Sequence, residues 1–173
     1  MNFFETATMD EVHPEIKELV GKWENFVETK FVLDGGQKTS MFIHGTYGSG
    51  KTYTANAIFN HFKKLWPANR IAIHNYTKMM MNATFRRVDE DDLDSVNVND
   101  ISNMKGLLII DDLGAKVPST KDEDILYIIL NERYQSGYPT LITSNLPLEK
   151  IEEVYGSRIV ARIMRMCVII KMG

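Results

Sequence analysis

Eight consecutive residues, Gly45-Thr46-Tyr47-Gly48-Ser49-Gly50-Lys51-Thr52, combine glycines, a lysine and a hydroxyl in the order G-x-x-x-x-G-K-[ST]. Glycines let a backbone turn with its N–H groups pointing inward, where a side chain would collide with a phosphate. Lys51 then offers a point charge to the β and γ phosphates and Thr52 a hydroxyl to Mg2+. A helix starting there adds the positive end of its dipole. All eight residues, Gly45, Thr46, Tyr47, Gly48, Ser49, Gly50, Lys51 and Thr52, are therefore expected to bind nucleotide. ATP is the default, because no N-K-x-D-like guanine-reading segment occurs and Asn131-Glu132-Arg133-Tyr134 is only superficially similar.

A second constellation lies downstream, where the apolar run Leu107-Leu108-Ile109-Ile110 ends in Asp111-Asp112. Phosphoryl transfer to water needs a carboxylate for the Mg2+ shell and a polar group to aim the attacking water. Asp111, at the carboxyl end of a buried strand, is expected to meet the metal with Thr52, as a Walker B aspartate would. Asp112 is placed to orient or deprotonate water. Thr140-Leu141-Ile142-Thr143-Ser144 leads to Asn145, whose amide can face the γ-phosphate or the water. Asn before Leu146-Pro147 is also an ordinary turn residue; the two Walker motifs upstream favour a sensor role.

The elements that must position these groups are legible as hydrophobic periodicity. Residues 11–26 read as one amphipathic helix, through Val12, Ile16, Leu19, Val20, Trp23 and Phe26. Thr39 to His44 reads as the strand before the phosphate loop, and the helix after it ends near Trp66-Pro67. Strands are expected at Arg70–His74, Lys105–Asp111, Pro139–Thr143 and Cys167–Lys171. Helices are expected at Thr77–Phe85, Glu123–Tyr134, Leu148–Val154 and Arg158–Met166. Met79-Met80-Met81 cannot all face one core, so part of that run is expected at a contact surface. Strands alternating with helices mean an α/β domain with a parallel sheet.

Composition narrows the class further. The chain of 173 residues is 44% hydrophobic and 25% charged, which suits one globular domain. No apolar run approaches the roughly 20 residues of a membrane span. The start, Met1-Asn2-Phe3-Phe4-Glu5, lacks a secretory pattern, and a cytoplasmic location with no membrane partner is expected. Cys167 lies in an apolar run and reads as a buried hydrophobe. His13, His44, His61 and His74 show no metal-ligand spacing. The net charge of −3 gives no general attraction to nucleic acid. Its distribution is uneven: residues 89–94 form an acidic island, whereas after Glu153 only basic charges follow, among them Arg158, Arg162, Arg165 and Lys171.

Taken together, Gly45–Thr52, Leu107–Gly114, Thr140–Pro147 and Tyr155–Arg165 resemble the DnaC/DnaI/IstB group of AAA+ ATPases, over most of the chain from about Thr39 onward. The resemblance implies an AAA+ P-loop fold, a three-layer sandwich with a central parallel sheet, and ATP and Mg2+ as cofactors. It also implies self-assembly in which one subunit's arginine reaches a neighbour's γ-phosphate. Arg162 matches that arginine finger, with Arg158 and Arg165 as fallbacks. A replicative DNA helicase is the implied partner. Single-stranded DNA is a second, through Lys78, Phe85, Arg86 and Arg87 in Thr77–Arg87, although the adjacent acidic island opposes it.

The expected organisation is an N-terminal helical segment, residues 1–38, as a candidate partner handle, followed by an ATPase domain, residues 39–173. Three departures from the family are expected: a short segment before the phosphate-loop strand, no sensor II arginine or lid after the last strand, and Asp112 where many AAA+ enzymes have glutamate. Slow hydrolysis is the expectation. Phe31-Val32-Leu33 is a candidate apolar wall for the base. The main reading is a helicase loader. A transposition helper ATPase, a non-hydrolysing ATP-gated adaptor and a small-molecule P-loop kinase remain open, the last needing neither Asn145 nor Arg162.

Overall fold

Five parallel strands form one sheet at the centre of the molecule. The computed structural model describes residues 3–24, 38–85 and 95–173. Along it follow α1 (Pro14–Glu24), β1 (Ser40–Gly45), α2 (Lys51–Leu65), β2 (Ile71–Asn75), α3 (Tyr76–Asn82), β3 (Ala83–Thr84), β4 (Val96–Asn97) and α4 (Val98–Asn103). The second half contributes β5 (Leu107–Leu113), α5 (Thr120–Ser136), β6 (Thr140–Ser144), α6 (Leu148–Tyr155), α7 (Ser157–Met166) and β7 (Cys167–Met172). The five-stranded sheet runs β2-β5-β6-β1-β7 in space.

Strand side chains alternate between two faces, and both faces are apolar because both are covered. Met41, Ile43, Leu107, Ile109 and Leu141 pack with Ile16, Val20 and Trp23 of α1 and Ala55, Ile58 and Phe62 of α2. Phe42, Leu108, Ile110 and Ile142 pack with α3, α4, α5, α6 and α7. Three layers result. Each fully buried Leu or Ile contributes about 1.5–3 kcal/mol, so these faces dominate the stability.

Local signals set the helix ends. Gly50, with φ of 90°, turns the phosphate loop into α2, which stops at Trp66 ahead of Pro67. The Ser119 hydroxyl accepts from the Asp122 N–H (3.2 Å) and Asp122 accepts from the Ser119 N–H (2.9 Å), a capping box that starts α5. Gly137, at φ 71°, closes the same helix. Gly156, with φ 81° and ψ 160°, adopts a conformation open essentially to glycine and separates α6 from α7.

Several elements differ from expectation. The helix read over Thr77–Phe85 stops at Asn82, and the chain turns into β3, which pairs in parallel with β4. Helix α4, capped by Asn97 accepting from the Asn99 and Asp100 N–H groups, is too short to show a hydrophobic period. Strand β5 runs two residues past Asp111. Met79 and Met80 are buried and Met81 is 73% exposed, because positions 100° apart on a helix cannot all share one core. In α1 the apolar stripe faces the core, and the Trp23 ring N–H donates to the Thr39 carbonyl at 2.8 Å. Cys167 is buried and burial pushes its thiol pKa up. Phe26, Phe31-Val32-Leu33, Arg86, Arg87 and the acidic island lie outside the described residues.

Arg133 is a fully buried cation that periodicity does not announce. Its Nε donates to Thr140 Oγ1 (2.8 Å), Nη1 to the Ile101 and Met104 carbonyls (3.1 Å each), and Nη2 to the Gly106 and Pro139 carbonyls. One side chain thereby ties α5 to the end of α4, the entry to β5 and the entry to β6. Burial pulls its pKa down to about 9.

Candidate active site

All five strands of the sheet end at one edge, where loops at carboxyl ends gather and ligand crevices form. Strand β6 lies between β1 and β5, so the end of β6 comes between the phosphate loop and the two acids. A cleft of about 550 Å3 opens there. The phosphate loop and α2 contribute Tyr47, Gly48, Gly50, Lys51, Thr52 and Tyr53; β2 contributes Asn75; β5 contributes Asp111 and Asp112, β6 Thr143, and the turn after β6 Asn145.

Gly48 and Gly50 take φ of 80° and 90°, values that other residues adopt only under strain. Gly45 answers a different demand: a Cβ there would lie 1.8 Å from the Met172 carbonyl oxygen of β7. Lys51 is 7% exposed and its ammonium donates to the Gly45 carbonyl (3.0 Å), the Thr46 carbonyl (2.7 Å) and Ser49 Oγ (3.2 Å). Burial lowers its pKa, and the charges of Asp112 and Asp111 oppose that shift. Thr46 and Ser49 thus serve the lysine, and Tyr47 stands 94% exposed at the loop tip.

Consecutive residues of a regular strand face opposite sides, yet Asp111 and Asp112 both line the cleft. The pairing of β5 with β6 shifts between Ile110 and Leu113, and Asp112 takes φ of 66°, alone in the left-handed region among described non-glycine residues. A bulge of this kind re-aims a side chain. Asp111 Oδ1 accepts from Thr143 Oγ1 (2.6 Å) and from Thr52 Oγ1 (3.3 Å). Burial raises the Asp111 pKa and those two hydroxyls hold it back. Asn145 Nδ2 donates to Asp112 Oδ1 at 2.9 Å. The Thr52 hydroxyl and the Asp111 carboxylate are adjacent hard-oxygen donors, a set that suits Mg2+, which keeps several waters and takes few protein ligands. Among the described residues no group of three or more His, Cys, Asp or Glu is placed to hold a metal by itself.

Arg162 does not line this cleft. On α7, its Nη2 donates to the Tyr127 hydroxyl (3.4 Å), and its guanidinium lies 5.7 Å from the Tyr127 ring and 5.3 Å from the Tyr134 ring. Arg158 pairs with Asp124 and lies 4.9 Å over Tyr127, while Arg165 is exposed. Sequence reasoning placed the phosphate loop, Asp111, Asp112 and Asn145 in one site, and they meet there. It missed Asn75, Tyr53 and Thr143. Thr143 alone had a signal, as a polar residue ending a buried strand.

A sheet in this order, with a phosphate loop after β1 and paired acids on β5, defines a P-loop ATPase of the AAA+ class. The sequence profile of the bacterial DnaA ATPase domain matches residues 32–170, and the chain belongs to that family. It is 31% identical over 108 residues to the chromosomal replication initiator protein DnaA of Bacteroides fragilis, covering 61% of this chain and 21% of that one. It is 30% identical over 131 residues to the replicative helicase loader DnaC of Escherichia coli K12, covering 73% of this chain and 51% of that one. The chain therefore spans about half the length of that loader and about a fifth of that initiator. A crystal structure of the DnaC helicase loader superposes with a TM-score of 0.71 at 19% identity, over 100% of each chain, and shares the fold. Among the described residues no helix is long and apolar enough to cross a membrane.

Proposed function

We propose that this chain is an ATP-binding and slowly ATP-hydrolysing helicase loader, which acts in the cytoplasm to help place a hexameric replicative helicase on DNA. The observation that carries the reading is the pair Asp111 and Asp112, both turned by a bulge into the cleft on which the phosphate loop opens. The likeness to DnaC over 73% of the chain supports the loader assignment.

In this reading the backbone of Gly45–Thr52 cradles the phosphates and Lys51 leaves its three oxygen partners to meet their charge. Thr52 and Asp111 would hold Mg2+, which would supply charge neutralisation at the phosphates. Asp112 takes the proton of the attacking water, and Asn145, already bonded to Asp112, orients that water. Arg162 acts on a neighbouring copy: it lies outside its own cleft, and an arginine supplied in trans is worth roughly 10³ or more in rate. The N-terminal segment, residues 1–38, offers a partner handle through exposed positions of α1 such as Glu15, Lys17 and Glu18, since the apolar stripe is buried. Lys78 and the half-exposed Phe85 would contact single-stranded DNA weakly and in a salt-sensitive way.

Immobilised protein with Mg2+ and a slowly hydrolysed ATP analogue should retain the replicative helicase from host lysate, and Lys51→Ala protein should not. Retention of a transposase instead, or of helicase equally by both proteins, would contradict the loader reading.

A further inference from the structure

The bulge that brings both acids into one cleft leaves β5 with backbone groups that its neighbour's backbone cannot serve. Ile110 pairs with Ile142 and the next pairing is Leu113 with Ser144, so three steps along β5 are matched to two along β6. Side chains of β6 take over. The Asp112 N–H donates to Thr143 Oγ1 at 2.9 Å, and the Leu113 carbonyl accepts from Ser144 Oγ at 2.6 Å. Ser144 Oγ in turn accepts from the Leu146 N–H at 3.0 Å, which fixes the chain just past Asn145. Thr143 and Ser144 are 1% and 0% exposed. Packing alone would favour valine in such a strand, and buried hydroxyls are costly unless bonded. Here both are bonded, and to the displaced residues.

Thr143 does more than replace a ladder bond. Its single hydroxyl accepts from the Asp112 backbone and donates to Asp111 Oδ1 at 2.6 Å, so one oxygen fixes both acids. We propose that Thr143 is a positioning residue for the two carboxylates, holding Asp112 in its left-handed conformation and aiming Asp111 at Thr52, with Ser144 locking the far side of the bulge. The proposal deepens the ATPase reading and rests on the roles given there to Asp111 and Asp112.

The test compares Thr143→Val, which keeps the shape and removes the hydroxyl, with Thr143→Ser, which keeps the hydroxyl. Affinity for a fluorescent ATP analogue is measured with Mg2+ and with EDTA, alongside phosphate release at saturating ATP. Thr143→Val should keep its EDTA affinity within about twofold, while the gain on adding Mg2+ and the phosphate release each fall by about 10–100-fold, the range for residues that orient metal ligands. Thr143→Ser should restore both to within a few-fold. A crystal structure of Thr143→Val should show Asp112 out of the left-handed region. Should that variant not yield folded protein, Thr143→Ala carries the same comparison against Thr143→Ser.

Full Mg2+ gain and turnover in Thr143→Val, a serine variant no better than the valine one, or an Asp112 unchanged in the crystal structure would each overturn the proposal. A wild-type protein with neither Mg2+ gain nor phosphate release would refute the ATPase reading instead. The crystallographic comparison would then decide the role of Thr143 alone.

Discussion

At the scale of single residues, the position that decides most is Asp112. Its φ of 66° is open to Gly, Asn and Asp far more readily than to other side chains. Asp112→Asn should therefore fold as the wild type does and bind nucleotide, while phosphate release falls by about 10² or more through loss of the proton acceptor. Asp112→Val should in addition lower stability by about 1–3 kcal/mol, read in urea unfolding, because a β-branched residue is strained there. Lys51→Ala should abolish binding of a fluorescent ATP analogue. The phosphate-loop residues were legible because their chemistry is written in eight adjacent positions. Thr143 was legible only as a polar residue ending a buried strand, and its role was not, because the atoms it serves are 31 and 32 positions away on another strand.

At the scale of elements, α5 connects the acids to the rest of the fold, and two devices hold it. Burial alone would raise the Asp122 pKa, but the Lys116 ammonium and the Ser119 backbone and hydroxyl outweigh it and hold the carboxyl below its ordinary 3.8. A folded-state pKa below the unfolded one adds stability that is full above the unfolded value and is lost as pH falls through the folded value. Wild type should lose this contribution below about pH 3.8, whereas Asp122→Asn should lack it at neutral pH and show a flatter acid limb. Asp122→Ala should cost about 0.5–2 kcal/mol at pH 7. Arg133 is the second device. Arg133→Lys supplies three donors for five neutral acceptors and should cost about 2 kcal/mol or more, since at least two buried acceptors lose their donors. The strands and long helices followed from hydrophobic period. The short α4 and the β3–β4 pair did not, since a few residues carry no period, and a lone arginine in a helical pattern looks like any solvated one.

At the scale of the whole molecule, the proposed function requires a second copy to complete the cleft. Arg162, on α7, is held between Tyr127 and Tyr134 of α5, away from the cleft of its own chain. A head-to-tail arrangement, in which each copy offers α7 to the next cleft, satisfies this placement. Phosphate release per chain should then rise with protein concentration, and Arg162→Ala should bind ATP normally while losing that rise. The most direct measurement is phosphate release from mixtures of Arg162→Ala and Asp112→Asn proteins, each inactive alone. Activity in an equal mixture should recover to about a quarter of the wild-type rate, because a working site needs Asp112 from one copy and Arg162 from the next. No recovery at any ratio, with wild type still dependent on assembly, would contradict it.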